Sequence, residues 1–177
     1  MIDKKNDNFL MSFGKMPIAN NFLHENDFSK EFFYEMKVGF NEEYSLFKLL
    51  EHPKPEQMFN SKYPFLTSSS NYMIQHFNNF YKFINKNYLH SINEKIIEIG
   101  CNDGVLLEPL SKLGANAVGV DPASNVVKLA RDKGLNVIED YFNYENFENH
   151  GGKYDLVLAN NSFAHIIDIK SIVRGVN

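Results

Sequence analysis

Beyond Lys95 the apolar residues fall into short runs of strand character separated by segments of helical period. Ile96 to Ile99, Ala117 to Val120, Asn136 to Glu139 and Tyr154 to Ala159 read as strands. Leu106 to Leu113, Ser124 to Lys133 and a short stretch from Tyr144 to Asn149 read as helices, and a further helix begins near His165 or Asp168. Strands alternating with helices require right-handed crossovers and therefore a parallel sheet. The predicted fold class is α/β, a partial Rossmann-like parallel sheet. In the doubly wound order 3-2-1-4-5, the fourth strand would keep an apolar edge at Leu156 to Ala159. On this pattern the chain reads as cut short, and a second polypeptide supplying the remaining strands is an expected partner.

Ahead of this region, Ser68, Ser69 and Ser70 offer caps for a helix whose Met73, Phe77, Phe80, Tyr81, Ile84 and Tyr88 follow a period of about 3.6 residues. One face of it is predicted to be buried against the sheet, with His76 beside the apolar stripe. Residues 1–69 are aromatic-rich but irregular, punctuated by Gly14, Pro17, Pro53, Pro55 and Pro64. They read as a small α+β module in which Phe32 to Phe40 and Tyr44 to Leu50 form two short strands around Asn41-Glu42-Glu43; the second segment also suits a helix start. The expected division is a module over 1–69, a linking helix over 70–92 and the α/β region over 93–177.

Composition narrows the function. With 44% hydrophobic residues, including 16 Phe and 9 Tyr, the chain can bury a substantial core. A net charge of −4 without a basic patch argues against a nucleic-acid backbone as partner. Cys101 is the one cysteine, so neither an intrachain disulfide nor a Cys-x-x-Cys metal site is expected. No run approaches the roughly 20 apolar residues of a membrane helix, and Met1 to Asn8 lacks the apolar core of a signal peptide. A soluble, cytoplasmic protein without a membrane partner is the expectation.

The candidate chemistry lies in Glu98-Ile99-Gly100-Cys101-Asn102-Asp103-Gly104, a strand end and tight turn leading into a helix. Open α/β sheets bind ligands at the carboxyl ends of their strands. A dinucleotide needs Gly-x-Gly-x-x-Gly for close approach of its pyrophosphate, but Asn102 and Val105 hold the second and third positions, which disfavours NAD and FAD. S-adenosylmethionine has no phosphate; its amino and carboxylate groups suit Glu98, Asp103 and the amides of the loop that Gly100 and Gly104 shape. Asp121, in Gly119-Val120-Asp121-Pro122, sits where one carboxylate can accept from both ribose hydroxyls, and Asp140 where it can accept from the adenine amino group. Either acid alone could be a turn former or a solvated strand end. Cys101 reads as a small apolar filler.

Three segments together carry a resemblance: Glu98 to Gly104, Gly119 to Ala123, and Ala159-Asn160-Asn161-Ser162-Phe163-Ala164-His165-Ile166. They look like the successive motifs of the sugar C-methyltransferases. Upstream, Gly14-Lys15-Met16-Pro17-Ile18-Ala19-Asn20-Asn21-Phe22-Leu23 is similar to that family's Gly-x-x-Pro-Leu-Ala-Asn-x-Phe-Leu segment. Tyr63 to Ser70, followed by His76, is similar to its Tyr-x-Tyr-x-Ser-Ser stretch and following histidine. The resemblance implies a class I methyltransferase domain behind a small zinc-binding module, S-adenosylmethionine as cofactor, and methylation of a ring carbon in a nucleotide-linked keto-deoxysugar for a surface polysaccharide or glycosylated metabolite. It also implies Asn160 at the cofactor and His165 near its methyl end, able to hydrogen-bond an enolate or move a proton. A helix-capping or packing role for His165 remains an equal alternative.

The chain departs from the family in three ways. The zinc cysteines are absent, so no metal is expected and the module must fold on its aromatic residues. Phe65 replaces the second tyrosine of Tyr-x-Tyr. The Tyr-x-Glu-His cluster, which the resemblance implies as the source of the base, does not occur in these 177 residues. A non-catalytic or split cofactor-binding fragment is therefore the second reading, and a nicotinamide-dependent oxidoreductase the third. His24, His52, His90 and His150 have no spacing that suggests ligands.

Overall fold

The computed structural model describes residues 6–91, 93–149 and 152–176. Residues Met1 to Lys5, Ile92, His150 and Asn177, on which some of the expectations above fall, lie outside the described residues. Two compact units form, Met1–Pro64 and Phe65–Asn177. The break falls at Pro64 rather than at Ser69, because residues after Pro64 are hydrogen-bonded into the second unit.

The first unit is a three-stranded antiparallel sheet of β1 (Asp7–Pro17), β2 (Phe33–Asn41) and β3 (Leu46–Leu49), followed by the short helix α1 (Pro55–Met58). The pair β2 and β3 appears where alternation predicts it, whereas β1 is a strand where the sequence reads as irregular. Gly14 and Pro17 do not break it. Register shifts between Phe9 and Met11 and between Ser12 and Lys15 absorb extra residues, and Gly14, at φ +77°, donates its N–H to Ser12 Oγ at 3.0 Å. Such bulges hide a two-residue period.

Among the described residues of this unit the expected aromatic core does not form. Phe9, Phe13, Phe22, Phe28 and Phe47 are each more than half exposed, while Ile18 and Val38 are buried. Strand pairing is instead reinforced by polar groups. Asn41 is fully buried; its Nδ2 donates to Asp7 Oδ1 at 2.8 Å, and its Oδ1 accepts from the Tyr44 N–H at 3.0 Å. Lys48 Nζ meets the other oxygen of Asp7 at 2.8 Å, so one cluster joins all three strands.

The second unit holds a four-stranded parallel sheet in the order β6-β5-β4-β7, where β4 is Lys95–Ile99, β5 Asn116–Asp121, β6 Val137–Glu139 and β7 Leu156–Leu158. This is the order 3-2-1-4 of the predicted doubly wound sheet, and the α/β class is observed. The helices are α2 (Asn71–Asn87), α3 (Leu107–Lys112), α4 (Ser124–Asp132), α5 (Tyr144–Asn149) and α6 (Ile169–Val176). Ser70 caps α2, its hydroxyl accepting from the Met73 N–H at 3.3 Å. His76 is exposed on it. Among the described residues β7 is an edge strand, shorter than Tyr154 to Ala159.

Alternation along β4 sends Ile96 to one face of the sheet and Ile97 and Ile99 to the other. Ile96 packs with Phe77 and Ile84 of α2, Leu107 and Leu110 of α3, and Val127 and Ala130 of α4. Ile97 and Ile99 pack with Val120, Phe142 and Ile172. Each fully buried aliphatic chain contributes about 1.5–3 kcal/mol, so burial on both faces makes β4 the anchor of the unit. Its carboxyl end is correspondingly enclosed by side chains on both faces.

The polar cluster of the first unit gives a direct prediction. Asn41→Ala removes a buried donor and acceptor and leaves the Tyr44 N–H without this partner, which costs about 1–3 kcal/mol. Denaturant unfolding monitored on the first unit should register that loss, and an unchanged midpoint would refute the role given to Asn41.

Candidate functional site

The loop after β4 is shaped by three left-handed residues at alternate positions: Gly100 at φ +73°, Asn102 at +50° and Gly104 at +81°. Asparagine is among the few residues with a side chain that adopt this conformation at modest cost, so it can occupy the middle place of a Gly-x-Gly pattern. Glycine is needed on either side. A Cβ on Gly100 would lie 2.5 Å from Ser162 Cβ, and one on Gly104 would lie 2.4 Å from Leu135 Cδ1. Gly119 in β5 is similarly constrained, since a Cβ there would meet Cys101 Sγ at 2.5 Å.

The loop turns back onto the end of β5. Gly100 and Cys101 donate their N–H groups to Val120 O at 2.7 and 3.2 Å, and Asn102 donates its N–H to Asp121 Oδ2 at 3.0 Å. The other Asp121 oxygen accepts from the Ala123 N–H at 2.9 Å. Burial raises the Asp121 pKa, and these two amides work against that rise. The carboxylate is thereby held at the strand end with lone pairs to spare.

Glu98, which shares a face with Ile96, is buried, and its Oε2 has no hydrogen-bond partner among the described residues. Burial and then the nearby Asp121 charge push its pKa up to about 8. Burial likewise raises the Cys101 thiol, which fits a packed filler better than a nucleophile. At the end of β7, the neighbour of β4, Asn160 Nδ2 is also buried without a partner among the described residues. An unmet acceptor and an unmet donor thus occupy adjacent strand ends.

Several residues predicted to face a ligand are engaged within the protein. The Asn102 side chain bonds Phe65 and Thr67, and Asp103 accepts from the Ser68 N–H at 3.2 Å and lies 3.4 Å from Lys133 Nζ. These two side chains are therefore occupied within the protein. Asp140 Oδ1 accepts from the Tyr141 N–H at 2.7 Å and from Asn146 Nδ2 at 2.8 Å, beyond the end of β6. His165 is exposed in a turn of 3₁₀ helix, Phe163–His165, that follows β7; the helix proper begins only at Ile169.

Sequence reasoning missed Thr67, Ser162 and Lys133. Ser162 Oγ donates to Ile99 O at 2.8 Å and closes the β7 loop over Gly100, while Lys133 Nζ donates to the Asp103 carbonyl at 2.6 Å. The signal available was the requirement that a buried turn have its carbonyls satisfied. Its partners were distant in sequence.

Residues 97–177 match the family model described as a methyltransferase domain. That segment, somewhat less than half of the chain, is similar to methyltransferase domains. S-adenosylmethionine is the methyl donor that the family uses. This segment and the residues before it are similar to C-methyltransferase NovU of Streptomyces niveus, with 30% identity over 172 residues, covering 95% of this chain and 41% of NovU. A ubiquinone biosynthesis O-methyltransferase of Methylobacterium sp. (strain 4-46) is 36% identical over 83 residues, 45% of this chain and 33% of its own length. The chain thus spans less than half the length of either relative. Among solved structures, the plantazolicin methyltransferase BpumL in complex with a triazolic analogue and SAH aligns with 62% of this chain and 43% of its own, at 20% identity and a TM-score of 0.49.

The residues fit the cofactor. Glu98 Oε2 and Asn160 Nδ2, unpartnered among the described residues, complement an ammonium and a carboxylate, and Gly100 keeps the turn free of a Cβ. Among the described residues no cluster of His, Cys, Asp and Glu could hold a metal, and no helix is long and apolar enough to cross a membrane.

Glu98 has a measurable consequence. With a free value of 4.5 and a folded value of about 8, folding takes up a proton at this carboxyl, so its contribution to stability falls as pH rises from about 4.5 to about 8 and is level above that. Glu98→Gln should therefore gain melting temperature relative to the parent as pH rises through this window. Parallel melting curves across the window would show that Glu98 does not titrate as its burial requires.

Proposed function

We propose that this chain serves an S-adenosylmethionine-dependent C-methyltransferase acting on a nucleotide-linked keto-deoxysugar. The observation that carries the reading is the extent of the similarity to C-methyltransferase NovU: it runs over 95% of the chain, whereas the O-methyltransferase match covers 45%. Similarity limited to a cofactor domain says little about the acceptor, but similarity that extends through the preceding unit bears on it.

In this reading the cofactor lies across the carboxyl ends of β4, β5 and β7. Glu98 and Asn160 hold its amino-acid end, the Gly100 to Gly104 turn lines it, Asp121 accepts from the ribose hydroxyls, and Asp140 lies on the adenine side. When bound, the cofactor supplies a sulfonium methyl open to attack by a carbon nucleophile. Forming that nucleophile needs a proton removed alpha to a carbonyl and the developing enolate oxygen stabilised. His165, exposed after β7, hydrogen-bonds that oxygen or moves the proton. The remaining acid-base groups come from a further polypeptide segment, and the cytoplasm is where nucleotide sugars and the cofactor meet.

Titration calorimetry with S-adenosylhomocysteine and with NADH tests the cofactor assignment. The account expects one site for the former and no heat from the latter. Asp121→Ala should weaken binding by about 1.5–3 kcal/mol for each charge-assisted hydrogen bond lost. Tight NADH binding, or an unaffected Asp121→Ala variant, would refute the assignment. For the acceptor, methyl transfer to a keto-sugar nucleotide in the presence of a longer relative's missing segment should drop by about 10²–10⁴-fold in His165→Ala if the histidine acts in proton transfer. Equal rates would remove His165 from the chemistry.

A further inference from the structure

Residues Phe65 to Ser69 run directly into the Ser70 cap of α2, yet they are fastened to a loop more than thirty positions away. Asn102 Oδ1 accepts from the Thr67 N–H at 2.9 Å and from Thr67 Oγ1 at 3.2 Å, and Asn102 Nδ2 donates to Phe65 O at 3.1 Å. Asp103 Oδ1 adds a bond from the Ser68 N–H at 3.2 Å. Thr67, Asn102 and Asp103 are all buried, so these groups have little access to water as an alternative partner.

Asn102 faces both ways. Its side chain carries the 65–69 segment, and its main-chain N–H holds Asp121 at 3.0 Å. A glycine would satisfy the +50° backbone as well or better, so the conformation alone does not explain the asparagine. What the side chain adds is the clamp.

We propose that Asn102 is a positioning residue that fastens the 65–69 segment to the cofactor turn, so that ordering of the segment and binding of the cofactor are coupled through the Thr67–Asn102–Asp121 chain. The coupling rests on the cofactor assignment above; the fastening does not. Because linkage is reciprocal, whatever steadies Asn102 and Asp121 from the ligand side steadies Thr67, and loss of the clamp weakens the ligand by the same factor. The segment bears the Phe65 position and leads into α2, so the identity of the residue at 102 sets how firmly this strip stands beside the turn.

Hydrogen exchange on the full chain, resolved to peptides covering 65–70, tests both parts. Without ligand, Asn102→Gly keeps the left-handed turn and the N–H to Asp121 but removes three side-chain bonds. Exchange at Thr67 and Ser68 should then accelerate by at least about tenfold while β4 and β5 stay protected. Unchanged exchange at 67 and 68 would overturn the fastening. Thr67→Val, which keeps the amide bond and loses the hydroxyl, should give an intermediate acceleration.

With S-adenosylhomocysteine added, the parent should gain protection at 66–69, and Asn102→Gly should lose that response and bind about tenfold more weakly, within the roughly 5- to 150-fold range of coupled sites. If the parent binds the ligand with no change at 66–69, the coupling is wrong even should the variant fail to fold. If the parent does not bind the ligand, the cofactor assignment and the coupling both fall, and the ligand-free comparison still decides the fastening.

Discussion

The hydrogen bond from the Asn102 N–H to the Asp121 carboxylate is the constraint from which the rest of the site follows. It joins the turn after the first strand of the parallel sheet to the end of the second, and it can form only if the chain reverses within a few residues of Ile99. That reversal demands positive φ at 100, 102 and 104. It also demands space, which Gly119 provides by letting Cys101 pack against β5 without a Cβ in the way. The turn is thus a consequence of steric allowances at four positions, three of them glycine.

Enclosure at this point has an electrostatic cost. Two carboxyls, Glu98 and Asp121, are drawn into a buried strand end, and the cation at Lys133 reaches Asp103 instead of either of them. Burial of this kind is tolerable because β4 is packed on both faces and cannot relax outward. Glu98 Oε2 on β4 and Asn160 Nδ2 after β7, both without a partner among the described residues, are what the proposed site would offer to a zwitterionic amino-acid group. The proposed site would thus store part of its recognition as unsatisfied polarity.

Much of the second unit was legible in the sequence, because its strands are short apolar runs and its helices keep a 3.6-residue period. The strand order follows from connection rules once those elements are identified, and β6-β5-β4-β7 is the result. The acids at strand ends could be located in advance, since residues that follow a parallel strand fall at the carboxyl edge of the sheet. Their partners could not. Thr67 and Ser162 reach the turn from 35 residues upstream of Asn102 and from the β7 loop, and no local pattern marks either. The first unit was harder to read for a different reason: β1 carries apolar residues on exposed positions and two register shifts, so neither alternation nor burial leaves a trace in its order. Its three strands are tied together by Asn41, Asp7 and Lys48, polar residues that composition would assign to a surface.

The central claim is that the turn from Glu98 to Gly104 and the Asp121 carboxylate form one cofactor site. A crystal structure of the chain with S-adenosylhomocysteine tests it most directly. The account predicts the amino-acid group beside Gly100, within hydrogen-bonding reach of Glu98 and Asn160, and both ribose hydroxyls on Asp121. Density for the ligand elsewhere, with Glu98 and Asn160 still unpartnered, would contradict it.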